Sequence, residues 1–108
     1  MPRRRLIVNA DDFGLTRGIN EGIVEALAQG ILRSTTLMAN GPAFDHAAAL
    51  AREHGSLDVG CHLMLVQGEA FTLPGGKLPD SVPELLARLA TSLTVDLIET
   101  EFAAQITK

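Results

Sequence analysis

Leu6-Ile7-Val8-Asn9-Ala10-Asp11-Asp12-Phe13-Gly14 is the stretch that decides the fold. Three consecutive aliphatic residues run into two adjacent carboxylates and then a Phe-Gly bend. Unbroken hydrophobicity of this kind suits a parallel strand covered on both faces. Leu6–Val8 is therefore expected to be a buried strand ending at Asn9-Ala10, with a loop through Phe13-Gly14-Leu15. Thr16 then has the chemistry of an N-cap, and Ile19, Ile23 and Leu27 recur on one helical stripe. The helix is predicted to run to about Gln29. Gly30 stands where a C′ glycine belongs.

The same alternation repeats downstream. Ser34–Ala39 reads as a second strand. Asn40-Gly41-Pro42 turns into a second helix whose apolar face is Phe44, Ala47, Ala48 and Ala51, closed by Gly55. Asp58–Leu65 reads as a third strand. The result is a βαβαβ unit, whose parallel crossovers are right-handed in nearly all proteins. Gln67–Asp80 is rich in Gly and Pro and is expected to be a long loop, a candidate lid or substrate wall. Ser81-Val82-Pro83-Glu84 matches a capping box opening a helix with Leu85, Leu86 and Leu89. A last helix starts near Val95, with Ile98, Phe102 and Ile106 as its stripe.

Three parallel strands leave both sheet edges open, and four helical stripes need a surface to cover. The expected fold is thus α/β: the N-terminal βαβαβ part of a deformed (β/α) barrel, followed by two helices. Residues 1–108 are expected to be one truncated portion of a single barrel domain, which takes about 250 residues in full.

Composition narrows the function classes. The chain has 108 residues, 46% of them apolar, and a net charge of −4. That is globular rather than disordered, and it does not suit a nucleic-acid partner. Arg3-Arg4-Arg5 is the one basic cluster and reads as a solvated strand start. Cys61 is the single cysteine, so no internal disulfide can form. No apolar stretch approaches the ~18 residues of a membrane span, and no secretory signal is visible. A cytoplasmic protein is expected, and its unpaired apolar faces would suit a homodimer.

Asp11-Asp12 is the sharpest chemical feature. Catalytic groups in parallel α/β proteins gather at the carboxyl ends of strands. Neighbouring residues there point in different directions, so one carboxylate can hold a metal while the other faces substrate. Asp is also common in solvated turns. His62 is the second feature, because in a parallel sheet it can reach the same rim as Asp12. Alone on an apolar strand it would pass for a core histidine. Carboxylate and imidazole together suit Zn²⁺ and other divalent ions, but a catalytic site normally takes three protein ligands. His46 and His54 fall on the second helix, where ordinary surface roles are the default. Thr16, Asn20 and Glu21 are read as cap and solvated residues near the rim, and Cys61 as a small core residue on the opposite face from His62. Gly75-Gly76 is not followed by the Lys-Ser/Thr of a phosphate-binding loop.

Leu6 through Thr16 resembles the opening motif of the YdjC-like carbohydrate deacetylases, which include chitooligosaccharide and hopanoid-biosynthesis-associated deacetylases. Val59-Gly60-Cys61-His62-Leu63-Met64-Leu65-Val66-Gln67-Gly68 looks like that family's second motif. Asn20-Glu21-Gly22-Ile23 and Ser34–Met38 are similar to the segments between them. The resemblance covers essentially the whole chain. It implies a deformed (β/α) barrel holding one divalent metal, Mg²⁺ or Zn²⁺ foremost. It matches Asp11 to the general base, and Asp12 and His62 to metal ligands. The family's third ligand, a later histidine, and its catalytic acid have no counterpart in this chain. The implied reaction is hydrolysis of N-acetyl groups on amino sugars, with an N-acetylated carbohydrate as partner. The Asp/His pair leaves open another metal-dependent barrel hydrolase, an amidase or phosphodiesterase, or a fragment that is inactive as it stands.

Overall fold

The computed structural model describes residues 1–108. Strand β1 (Asn9–Phe13), helix α1 (Arg17–Gln29), β2 (Ser34–Leu37), α2 (Phe44–Glu53), β3 (Asp58–Cys61), α3 (Val82–Thr91) and α4 (Val95–Thr107) follow in that order. The sheet is three-stranded, parallel, and ordered β1-β2-β3. This is the expected α/β arrangement with four helices. None of the helices is long and apolar enough to cross a membrane.

The first strand lies later than its hydrophobicity suggests. Leu6 and Ile7 are exposed, and pairing begins at Asn9 opposite Ser34. A partner for residues 6–8 would have to come from the segment before Ser34, which is a bend leaving α1. Asp11 and Asp12 consequently sit inside β1 rather than in a loop after it. β3 is likewise shorter than expected and ends at Cys61. His62 follows it, although its N–H still donates to Leu37 O at 2.9 Å and extends the ladder by one bond.

Helix α1 forms as its residues dictate. Thr16 accepts from the N–H of Ile19, and Ile23 and Leu27 are buried. Gly30 closes it in an extended conformation (φ −127°), not the left-handed one expected of a C′ glycine. What it requires there is space, because a Cβ would lie 2.8 Å from Ala26 O. Phe13, Ile23, Leu27, Leu32, Ala47 and Leu57 form the main core between α1, α2 and one face of the sheet. Burying a side chain such as Phe13 stabilises the fold by roughly 1.5–3 kcal/mol.

The segment 67–80 is not a slack connection. Glu69 and Lys77 pair in an antiparallel bridge, and Gln67 N–H donates to Pro79 O. Leu73, Leu78 and Leu93 make a second small core beneath it. Helix α4 departs from its expected stripe: Ile106 is exposed, whereas Glu101 and Gln105 are buried. The reason is the nature of the partner surface, which is loop backbone rather than apolar side chain. Glu101 accepts from Phe71 N–H (3.0 Å), Thr72 N–H (2.7 Å), the Thr72 hydroxyl (2.8 Å) and Gln105 Nε2 (3.1 Å). Gln105 accepts from Met64 N–H and donates to Met64 O, as a neighbouring strand would. Burial alone would raise the Glu101 pKa, but the four donors outweigh it and hold the carboxyl below its usual range.

Candidate active site

One face of the sheet packs on the helices; the other carries polar side chains. Asn9 and Asp11 alternate on β1, and Ser34 and Thr36 on β2. They form a continuous chain of hydrogen bonds. The Ser34 hydroxyl donates to Asn9 Oδ1 (2.9 Å), Asn9 Nδ2 donates to Asp11 Oδ1 (2.9 Å), and the Thr36 hydroxyl donates to the same Asp11 oxygen (3.1 Å). Thr36 Oγ1 also lies 3.1 Å from His62 Nδ1.

Strict alternation would send Asp12 to the helix-covered face, away from Asp11. The structure avoids this with a bulge. Pairing jumps from Ala10↔Thr35 to Phe13↔Leu37, and Asp12 adopts φ +67°. Bulges re-aim side chains beside functional sites, and Asp is among the few residues that tolerate the left-handed region. Asp12 Oδ1 thereby comes within 4.0 Å of His62 Nδ1. The three residues singled out from sequence thus meet at one corner, and Thr36 lies among them.

This corner opens on a cleft of about 340 Å³ at the carboxyl end of the strands. Asp12 and His62 line it together with Leu15, Met38, Asn40 and the segment from Leu63 to Gly68. The start of the 67–80 loop is therefore part of the cleft wall. Asn40 is nearly buried; its Nδ2 donates to Glu69 O at 2.7 Å, while its Oδ1 has no partner. Neither Thr36 nor Asn40 carries a sequence signal beyond strand and turn propensity.

Two glycines shape the rim. Gly14 has φ +101°, and a Cβ at Gly41 would lie 2.3 Å from Gly14 O. The two backbones touch where β1 and β2 leave the sheet. Asn20, fully buried, locks the contact: its Oδ1 accepts from Gly14 N–H at 2.7 Å, and its Nδ2 reaches Ala43 O and His46 Nδ1. Asn20 and His46 therefore act in the scaffold. His54 Nδ1 pairs with Leu50 O in its own helix. Cys61 is exposed rather than in the core, because β3 is an edge strand whose outer face is uncovered. Partial burial still raises its thiol pKa.

The donor set suits a divalent cation in kind: one carboxylate oxygen and one imidazole facing each other across a cleft, both partly exposed. In number it is short, since no three His, Cys, Asp or Glu side chains are arranged to hold one metal ion together.

The crystal structure of a provisionally assigned cellobiose-phosphate cleavage protein from Enterococcus faecalis V583 superposes with a TM-score of 0.76 at 30% sequence identity. The match covers 94% of this chain and 41% of that one, so this chain spans less than half the neighbour's length. The sequence pattern of the family described as YdjC-like protein matches residues 5–108, from the strand bearing the paired carboxylates to the last helix. On that match the chain belongs to the YdjC-like family.

Proposed function

We propose that this chain carries the metal-binding and general-base half of a carbohydrate deacetylase, a hydrolase that removes N-acetyl groups from amino sugars. The observation that carries the reading is the bulge at Asp12, which brings its carboxylate beside the His62 imidazole on the cleft wall, with Asp11 tied to the same corner through Thr36. Asp12 and His62 would hold a divalent ion, with Mg²⁺ and Zn²⁺ as the leading choices. Such an ion supplies polarisation of the acetamide carbonyl and a lowered pKa for water.

The chain's own residues account for the rest. Asp11 Oδ1 is occupied by two donors, which fixes the carboxylate and leaves Oδ2 free. Oδ2 is the atom that takes a proton as water attacks the carbonyl carbon. Protonation of the departing amine falls to a group outside this set.

The same reading makes residues 1–108 the N-terminal part of a (β/α) barrel. Three features support it. The radius of gyration is 16.0 Å, against about 13 Å for a compact chain of this size. The accessible surface is 7123 Å², against about 5,800 Å² for a compact monomer. The polar sheet face is uncovered, as a barrel interior would be before closure. A missing third ligand and catalytic acid fit the same picture.

The E. faecalis neighbour's description favours a second reading, cleavage of a phosphorylated disaccharide. The residues lining this cleft include no Lys or Arg to meet a phosphate, which weighs against it. Acetate release from N-acetylated chitooligosaccharides, measured on the natural gene product before and after EDTA treatment, tests the first reading. Metal-dependent acetate release is expected. Cleavage of a phosphorylated disaccharide with no acetate release would overturn it.

A further inference from the structure

We propose that Thr36 is a positioning residue that fixes the tautomer of His62, placing the ring proton on Nδ1 and leaving the lone pair on Nε2. The metal-binding consequence rests on the functional reading above; the tautomer does not.

Counting protons fixes the tautomer. The Thr36 hydroxyl has one hydrogen and lies 3.1 Å from both Asp11 Oδ1 and His62 Nδ1. An ionised carboxylate can only accept, so the hydroxyl hydrogen goes to Asp11. The Thr36 oxygen is then an acceptor, and Nδ1 must be the donor. The opposite assignment would set two oxygens with no hydrogen between them at 3.1 Å. Asp12 Oδ1, the other group beside Nδ1, is 4.0 Å away and beyond hydrogen-bond range, so Thr36 alone sets the proton. Free imidazole favours the proton on Nε2, so this site inverts the ordinary preference.

Thr36 is well placed to hold that geometry. It lies in β2, the central strand, paired on both sides. Its β-branched side chain has few χ1 options. Its partner across the β2–β3 ladder is Gly60, which faces the Thr36 methyl rather than the hydroxyl. The backbone N–H of His62 is fixed by Leu37 O, so the imidazole is held from two directions. Orientation of a ligand histidine through its other ring nitrogen is how outer residues tune metal sites. Here the residue that orients His62 also tethers Asp11, so one hydroxyl links the proposed base to the proposed ligand.

The test is long-range ¹H–¹⁵N NMR of the histidine rings in the full chain at pH 8.5, with His62 assigned from its Ala variant. Wild type and Thr36→Ser are expected to show the proton on Nδ1. Thr36→Val, nearly isosteric but without a hydroxyl, is expected to move it to Nε2. A residue that only supported packing would leave the tautomer unchanged. A wild-type His62 protonated at Nε2, or a Thr36→Val protein still protonated at Nδ1, overturns the proposal. Amide spectra of each variant check that it folds, and Thr36→Ala serves in place of Val if Val does not. Zn²⁺ titration of the same samples reads the consequence: affinity should fall about 10- to 100-fold in Thr36→Val and stay near wild type in Thr36→Ser. If the tautomers behave as expected but wild type binds no Zn²⁺, the metal reading fails and the Thr36 assignment stands.

Discussion

Replacing Glu101 by Gln tests the unexpected polar contact between α4 and the 67–80 loop. The carboxylate receives four hydrogen bonds, all from donors. An amide has the same shape but one oxygen. Whichever way it turns, its NH₂ faces at least one N–H donor. Turning so that oxygen meets Thr72 leaves the Phe71 N–H and Gln105 Nε2 without an acceptor; the reverse orphans the Thr72 N–H and forces the Thr72 hydroxyl to turn and accept. Gln105 cannot flip to compensate, because both ends of its amide are engaged by Met64. Hydrogen bonds to a charged group contribute roughly 1.5–3 kcal/mol each. Losing one outright and the charge assistance of the others should cost about 2–4 kcal/mol. For a domain of this size that is a fall in Tm of about 10–20 °C. Hydrogen exchange at the Phe71 and Thr72 amides should accelerate in the variant even before global unfolding is measured. The pH arm has a definite sign. The folded Glu101 pKa is lowered, so its contribution is fully present above the unfolded carboxyl value near 4.5 and is lost as pH falls through the folded value. The gap between wild type and variant should therefore close in acid. Thermal unfolding followed by circular dichroism from pH 7 to pH 3 reads this. An equal Tm at pH 7, or a gap that is the same at pH 3, would refute the reasoning.

Asp11→Asn should reduce acetate release by the natural gene product about 10²- to 10⁴-fold, the range of general-base catalysis, while leaving its metal content unchanged. His62→Ala should lower metal content itself, measured by elemental analysis after dialysis; full stoichiometry would remove His62 from the ligand set. Gly41→Ala should destabilise by about 3 kcal/mol or more, because the new Cβ meets backbone, Gly14 O at 2.3 Å, and cannot be relieved by a side-chain rotation. A denaturation midpoint matching wild type would count against that close approach.

What could be read in the residues divides along physical lines. Helix α1 was legible because cap, stripe and stop are local, and each uses its own residue type. The Ser81–Glu84 opening of α3 was legible for the same reason: Ser81 accepts from Glu84 N–H, although Glu84 returns its bond to Asp80 N–H rather than Ser81. The start of β1 was not, because Leu6-Ile7-Val8 has the same hydrophobicity whether or not a partner strand covers it. The inward face of α4 was hidden more deeply. Apolar periodicity finds a helix that packs on apolar surface, and Glu101 and Gln105 pack on backbone. At the candidate site the residue types were visible in Asp11, Asp12 and His62. Their convergence was not, since it depends on a bulge that inserts one residue against a partner strand 25 positions away. Thr36 reads only as a strand residue, because a threonine in a strand has no signature that distinguishes packing from orientation.

The bulge has a consequence for how this site can vary. Asp11 and Asp12 are the same amino acid, yet the main chain treats them as different positions. Position 11 lies in β1 outside the left-handed region and would accept Thr or Val. Position 12, at φ +67°, would accept Asn or Gly and reject any β-branched residue. Two neighbouring codons that spell one letter thus lie under opposite stereochemical rules. A library randomising both should enrich disjoint sets of folded replacements, quite apart from any selection for chemistry.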